Sequence, residues 1–251
     1  MQQIFSNLKE GIKKRYHWYF GPYRNVAVVS YPKSGRTWLR VMLHDLKVIP
    51  VYYHDGSQNA LDITYYDLPE DKSGFSRNIV IFLVRDPRDT VVSSYFQMTR
   101  RHKAFEGTIS DFIRDDRYGI KKILKFHEIW HKNHHLPKDF KLIKYEDMHE
   151  DTFGVMKDLL EFLNVNRVDE DQLKKIIWFY QFNNMQKLEK HGYFKKSFKR
   201  VLYPKDMNDQ ESYKTRKGKV GGFHEYFSDE DIEYCNQVMK EFPNPFYRDA
   251  I

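Results

Sequence analysis

VAVVSYPKSGRTWLRVMLHDL, residues 26–46, decides the fold. Val26–Ser30 is a short apolar run, Tyr31–Trp38 is a tight Gly-containing turn, and Thr37–Lys47 carries a helical pattern. A strand, a turn and a helix start in that order bring backbone N–H groups and a helix dipole together on an anion. Lys33 adds a positive charge, and Ser34 and Thr37 add hydroxyl donors. The segment reads as a phosphate-binding loop. It is not the nucleoside-triphosphatase form, which needs a Gly four residues ahead of Gly-Lys-Ser/Thr, because here the Lys precedes the Gly.

Working outward, Ile79–Val84 is a second apolar run bounded by turn residues, Phe140–Tyr145 a third, and Val48–His54 a fourth, interrupted by Pro50. Helical periodicity occupies Thr37–Lys47, Arg88–Arg101, Ser110–His131, Phe153–Leu163 and Glu170–Lys190. Ser228, followed by Asp229, Glu230 and Asp231, is an N-cap with an acidic first turn that opens a helix to about Phe242. Short buried strands alternating with helices predict an α/β fold: one domain over 1–251, a central parallel sheet flanked by helices, and a strand–loop–helix resembling a P-loop.

The chain has 251 residues, 41% apolar and 16% aromatic, enough for a sizeable core. Its single cysteine, Cys235, excludes an intrachain disulfide framework and suits a reducing compartment. No run approaches the about 18 apolar residues of a membrane span, and no leader pattern opens the chain. The expectation is a soluble, cytoplasmic protein. The net charge of +7 is concentrated in residues 187–219, where eleven Lys/Arg face four Asp/Glu. That stretch reads as a solvated mobile loop, a nucleic-acid patch, or a cationic flap over a small polyanion, and charge alone does not choose.

Two further segments can grip phosphate. In RDPRDTVVSSYF, Arg85 falls at the carboxyl end of a strand and Ser93 just over two helical turns later, so fork and hydroxyl can hold one phosphate from two sides. Alone, Arg85 reads more readily as a structural residue paired with Asp86 or Asp89. In RKGKVGGF, Arg216, Lys217 and Lys219 alternate with Gly218, Gly221 and Gly222, a flexible cationic backbone that suits phosphate or nucleic acid.

In this order the three segments resemble the soluble sulfotransferases that use 3′-phosphoadenosine 5′-phosphosulfate (PAPS). YPKSGRTW is similar to that family's 5′-phosphosulfate loop, YPKSGTTW. RDPRDTVVSSYF is similar to its 3′-phosphate motif, and RKGKVGGFHEYFS to its carboxyl-terminal signature. IKYEDMHED and FNNMQKLEK are lesser matches. The resemblance spans Tyr31 to Ser228. It implies that Lys33, Ser34, Gly35, Arg36 and Thr37 hold the phosphosulfate, with Lys33 also catalytic at the leaving oxygen. It implies that Trp38 stacks on adenine, with Tyr145 and Phe182 lining the same pocket. Arg85, Ser93, Arg216, Lys217 and Gly218 would bind the 3′-phosphate. PAPS is the expected co-substrate, no metal is expected, and His131, His134 and His135 read as a solvated helix end.

Four departures from the family pattern bear on the site. Arg36 replaces a Thr. Gly222-Phe223 replaces Asp-Trp, which is expected to loosen the carboxyl-terminal lid. Ser228-Asp229 stands where the dimerisation segment begins, so the oligomeric state stays open. The usual Lys-x-His base is absent. Between the first two anchors the histidines are His44, on a helix face, and His54, at the loop end of a strand with Tyr52 in place of the accompanying Lys. His54 is the favoured general base, and Asp55 either orients it or is itself the base.

The predicted function is sulfuryl transfer from PAPS to a hydroxyl or amine of a small-molecule acceptor, without nucleic acid or membrane partners. The alternatives are a basic nucleic-acid or polyanion binder and a nucleotide kinase of related fold. The acceptor pocket is expected from about Asp55–Ser76 and His191–Tyr213, with Tyr65, Tyr66, Phe75, Tyr193, Phe194, Phe198 and Tyr203.

Overall fold

A computed structural model describes residues 21–55, 67–195, 198, 202–242 and 244–247. Tyr65 and Tyr66 lie outside them. Four strands, β1 (Val26–Ser30), β2 (Val51–Tyr53), β3 (Ile79–Val84) and β4 (Asp139–Lys144), form one parallel sheet in the order β2-β1-β3-β4. β1 and β3 are the central pair, and both match their apolar runs residue for residue. β2 starts only after Pro50, whose missing N–H cannot serve a ladder.

Side chains alternate across the sheet. Ala27, Val29, Val80 and Phe82 face one core with Phe126 and Trp130, while Val26, Val28, Ile81 and Leu83 face another with Leu39, Met42 and Leu160. Helices therefore cover both faces, as a buried parallel sheet requires.

In chain order the helices are α1 (Arg36–Asp45), α2 (Pro87–Phe96), α3 (Ile109–Arg114), α4 (Ile120–Asn133), α5 (Tyr145–Glu150), α6 (Thr152–Phe162), α7 (Glu170–Phe179), α8 (Phe182–Lys190) and α9 (Asp229–Glu241). Ser228 caps α9 in a reciprocal capping box with Asp231, as its sequence predicts.

Three helical expectations need correction. Ser110–His131 is two helices, because the Asp115 carboxylate turns the chain by accepting from the N–H groups of Arg117 and Tyr118 at 2.8 and 3.0 Å. Glu170–Lys190 breaks at Tyr180–Gln181. There the Trp38 indole donates to the Tyr180 carbonyl (2.8 Å) and the Tyr180 hydroxyl donates to Asp45 (2.7 Å). The pattern at Arg88–Arg101 is α-helical only to Phe96 and continues as a π-helical turn, Gln97–His102.

β1 has β2 on one side and β3 on the other, so the connections leaving the carboxyl ends of β1 and β3 part there. This is the switch point at which open α/β sheets carry their crevice.

Candidate active site

A cavity of about 440 Å³ opens at that crevice. Its walls include Lys33 from the loop after β1, Arg85 from the end of β3, Tyr145 from α5, and Lys214 and Arg216 from the basic stretch. Lys33 and Gly35 take left-handed backbone, with φ of 75° and 90°. A Cβ on Gly35 would stand 2.3 Å from the Tyr145 ring, so the loop passes this ring only as glycine. Gly35 is the N-cap of α1 and offers no side-chain cap, whereas Asp86 and Ser228 cap α2 and α9. The first-turn N–H groups of α1 thus lack a side-chain acceptor, and Gly35, Arg36 and Thr37 line the cavity. The Ser34 hydroxyl is buried without a partner. Burial, then the charges of Lys214, Arg101 and Arg216, hold the Lys33 ammonium well below the usual lysine range.

Arg85 is 3.5 Å from Asp89, donates to the Lys219 carbonyl (2.9 Å), lies 4.4 Å from the centre of the Tyr145 ring, and keeps a buried Nε without a partner. The structural pairing foreseen for Arg85 is thus real for Asp89, while Asp86 pairs with Arg88 instead (2.7 Å). Ser93 lines the same cavity. Arg216 is held by Glu211 (3.1 Å) and the Tyr226 hydroxyl (2.5 Å), and Lys217 by Glu225 (2.5 Å). Gly218, with φ of 58°, sits beneath the Phe182 ring, where a Cβ would fall 2.2 Å from a ring carbon.

The carboxyl-terminal loop is clamped, contrary to the loosening expected from Gly222-Phe223. Asp89 accepts from the N–H groups of Gly221 (2.9 Å) and Phe223 (3.0 Å), and Phe223 is buried beneath the Arg88 guanidinium. Glu189 accepts from the N–H groups of Lys214 and Thr215, both at 2.8 Å, and from the Thr215 hydroxyl. Two buried carboxylates therefore fix the loop that carries Arg216, Lys217 and Gly218.

Trp38, Tyr145 and Phe182 all line the cavity. The Trp38 ring meets Tyr145 edge-on at 6.2 Å and His149 at 5.0 Å. Each also has a packing role, as the contacts of Tyr145 with Gly35 and of Phe182 with Gly218 make plain.

His54 follows β2 directly and is buried, with its ring on the cavity wall. Its Nδ1 lies 2.9 Å from the Ser30 carbonyl, a partner that requires the proton on Nδ1 and leaves Nε2 as acceptor. Nε2 takes a hydrogen bond from Arg36, whose other terminal nitrogen donates to the Tyr53 carbonyl (2.6 Å). Burial, then the Arg36 charge, hold the imidazole well below its ordinary pKa. Asp55 is turned away, with one oxygen 2.7 Å from Lys72 and 3.2 Å from the Trp130 indole nitrogen. It does not orient His54, which Ser30 and Arg36 do instead. His44 packs edge-on against Phe198 (4.9 Å) and is absent from the cavity wall.

Sequence reasoning missed Arg40, Gln97, Arg101, His102 and Lys214, all on the cavity wall. Gln97, Arg101 and His102 belong to the π-helical turn, a geometry that helical periodicity does not signal. Lys214 was one cation among eleven.

The sulfotransferase domain profile matches residues 63–244, most of the chain. The chain belongs to the sulfotransferase domain family. Sulfotransferase 4A1 of Mus musculus is 29% identical over 61% of this chain, and the alignment spans 64% of that protein's length. Flavonol 3-sulfotransferase of Flaveria bidentis is 25% identical over 86% of this chain and 81% of its own. Among solved structures, mouse sulfotransferase SULT7A1 complexed with PAP superposes with a TM-score of 0.64 at 22% identity, covering 90% of this chain and 86% of that one. The last likeness is one of fold. The segment Tyr31–Trp38 precedes the residues that the domain matches. Among the described residues no helix is long and apolar enough to cross a membrane.

Proposed function

We propose that this sulfotransferase-family chain moves a sulfuryl group from PAPS to a hydroxyl or amine of a small-molecule acceptor, with His54 as general base. One observation carries the proposal. The three segments around residues 33, 85 and 216 wall a single cavity together with the His54 imidazole, which burial and the Arg36 charge hold well below its ordinary pKa. The residues present fit the donor. Ser34 Oγ and Arg85 Nε are buried polar atoms without partners, and Gly35 and Gly218 leave room beside two rings where any side chain would collide.

Bound PAPS supplies SO3 linked through oxygen to its 5′-phosphate. Lys33 and the first turn of α1 hold that phosphosulfate, Arg85, Ser93 and Arg216 hold the 3′-phosphate, and Trp38, Tyr145 and Phe182 flank the adenine. Arg36 keeps the Nε2 lone pair of His54 directed until the acceptor hydroxyl takes its place. As the bond from sulfur to the acceptor oxygen forms, the acceptor proton passes to Nε2. The bond from sulfur to the phosphate oxygen breaks, leaving its electron pair on the phosphate beside Lys33, whose charged form that anion favours. Positioning and charge neutralisation are what such a loose, in-line transfer needs.

Incubation with sulfur-labelled PAPS and pooled small-molecule acceptors tests the proposal. Labelled product and adenosine 3′,5′-bisphosphate should accumulate in equal amounts. Bisphosphate release without a labelled product would reduce the activity to hydrolysis.

A further inference from the structure

The cavity holds more cations than its donor segments use. Beyond Lys33, Arg36, Arg85, Arg216, Lys217 and Lys219, which lie in the donor segments, its wall carries Arg40, Arg101, Lys205 and Lys214. Among the described lining residues the acid is Asp89, and that carboxylate is committed to Arg85 and to the N–H groups of Gly221 and Phe223.

No carboxylate among the described residues pairs with the side chain of Arg36, Arg40, Arg101 or Lys214. Arg36 donates to the Tyr53 carbonyl and to His54. The Arg40 guanidinium lies 3.9 Å from the centre of the Tyr52 ring. Arg101 donates to the carbonyls of Ser212 and Tyr203 and keeps a buried Nε without a partner. Lys214 forms no ion pair among the described residues. Burial and the charges of Arg101, Arg36 and Arg40 lower its pKa to about 8. The acid behind it, Glu189, spends its oxygens on backbone N–H groups and the Thr215 hydroxyl. Cations gathered in one concavity and fixed by neutral groups keep a positive potential that water alone answers poorly.

We infer that this wall binds an oxyanion carried by the acceptor itself, a carboxylate, phosphate or sulfate held by Lys214 with Arg40, Arg101 and Arg36. The inference rests on the sulfotransferase reading of the cavity and names the acceptor class within it. Arg36 touches both the base and this wall, so an anchored acceptor would present its hydroxyl near His54 Nε2. A neutral phenol or alcohol would enter the same wall with the cations left unanswered, at a desolvation cost and without a charged hydrogen bond in return.

Benzoate and benzamide, which share shape and differ in charge, provide the test. Each is titrated calorimetrically at constant ionic strength, with and without saturating adenosine 3′,5′-bisphosphate. Benzoate should bind at least tenfold more tightly than benzamide. Lys214→Met, which keeps the side-chain stem, should bring the two within threefold while bisphosphate affinity moves less than threefold. Arg40→Gln should act in the same direction, and phenyl phosphate and phenyl sulfate then rank the oxyanions. Benzoate binding no tighter than benzamide overturns the inference, as does a Lys214→Met variant that loses as much bisphosphate affinity as benzoate affinity. Failure of the wild-type protein to bind bisphosphate would strike the donor reading instead, and the titrations made without bisphosphate still decide the anion question.

Discussion

Two sets of cations on the cavity wall are positioned by different means. In one set Arg85 faces Asp89, Arg216 faces Glu211 and Lys217 faces Glu225. In the other, Arg36 and Arg101 are held by main-chain carbonyls and Arg40 by the Tyr52 ring. A carboxylate fixes a cation while cancelling part of its charge, whereas a carbonyl or a ring fixes it and leaves the charge intact. The first arrangement suits a strongly charged donor that must also leave as bisphosphate. The second leaves a potential that a ligand has to answer.

His54 lies on the same wall, and its loss is the largest expected effect. His54→Ala should lower turnover by roughly 10²–10⁴-fold, the usual worth of acid–base catalysis, with bisphosphate affinity nearly unchanged. Near-normal turnover with the true acceptor would remove His54 from the chemistry and leave the donor site standing.

Asp55→Asn separates neighbour from participant. Asp55 and Lys72 are both buried, so losing the carboxylate strands an ammonium in the core. We expect a stability loss of about 3 kcal/mol in a denaturant titration, with turnover per folded molecule retained. Intact stability with a collapse in turnover would reverse that assignment and make Asp55 the base.

Arg85→Ala should weaken bisphosphate binding by about 2 kcal/mol, near 30-fold, because a buried phosphate loses a charged donor. Unchanged affinity in calorimetry would return Arg85 to a structural role with Asp89.

Arg36→Thr is the mildest change and sharpens the comparison most. His54 works as a base only when neutral, so kcat/KM falls as pH drops through its folded-state pKa. Burial and the Arg36 charge place that pKa well below the ordinary 6.5. Removing the charge should raise it, and the acid limb of the kcat/KM profile should move upward. A limb that stays in place would mean that Arg36 does not govern the imidazole.

The sequence made the three segments around residues 33, 85 and 216 legible and left Arg101, His102 and Lys214 obscure for physical reasons. Val26–Ser30 and Ile79–Val84 are continuous apolar runs because helices cover both faces of their strands, so their extents could be read directly. Lys33, Arg85 and Arg216 stood out by neighbours that suit a phosphate site: a glycine turn, a strand end and a glycine-rich loop. Lys214 lay in a run of cations, a pattern that a solvated surface shares, and its environment exists only once Glu189 pins its backbone. Arg101 and His102 reach the cavity on a π-helical turn that no spacing predicts. The break at Tyr180 was hidden as well, since it answers to the Trp38 indole, distant in sequence.

Calorimetric titration of the wild-type protein with adenosine 3′,5′-bisphosphate, in parallel with ATP–Mg2+ and a DNA duplex, tests the central claim most directly. The account predicts one bisphosphate bound per chain, with affinity at least tenfold above that for ATP and unchanged by a metal chelator. Equal or tighter binding of ATP–Mg2+, or heat from DNA alone, would contradict it.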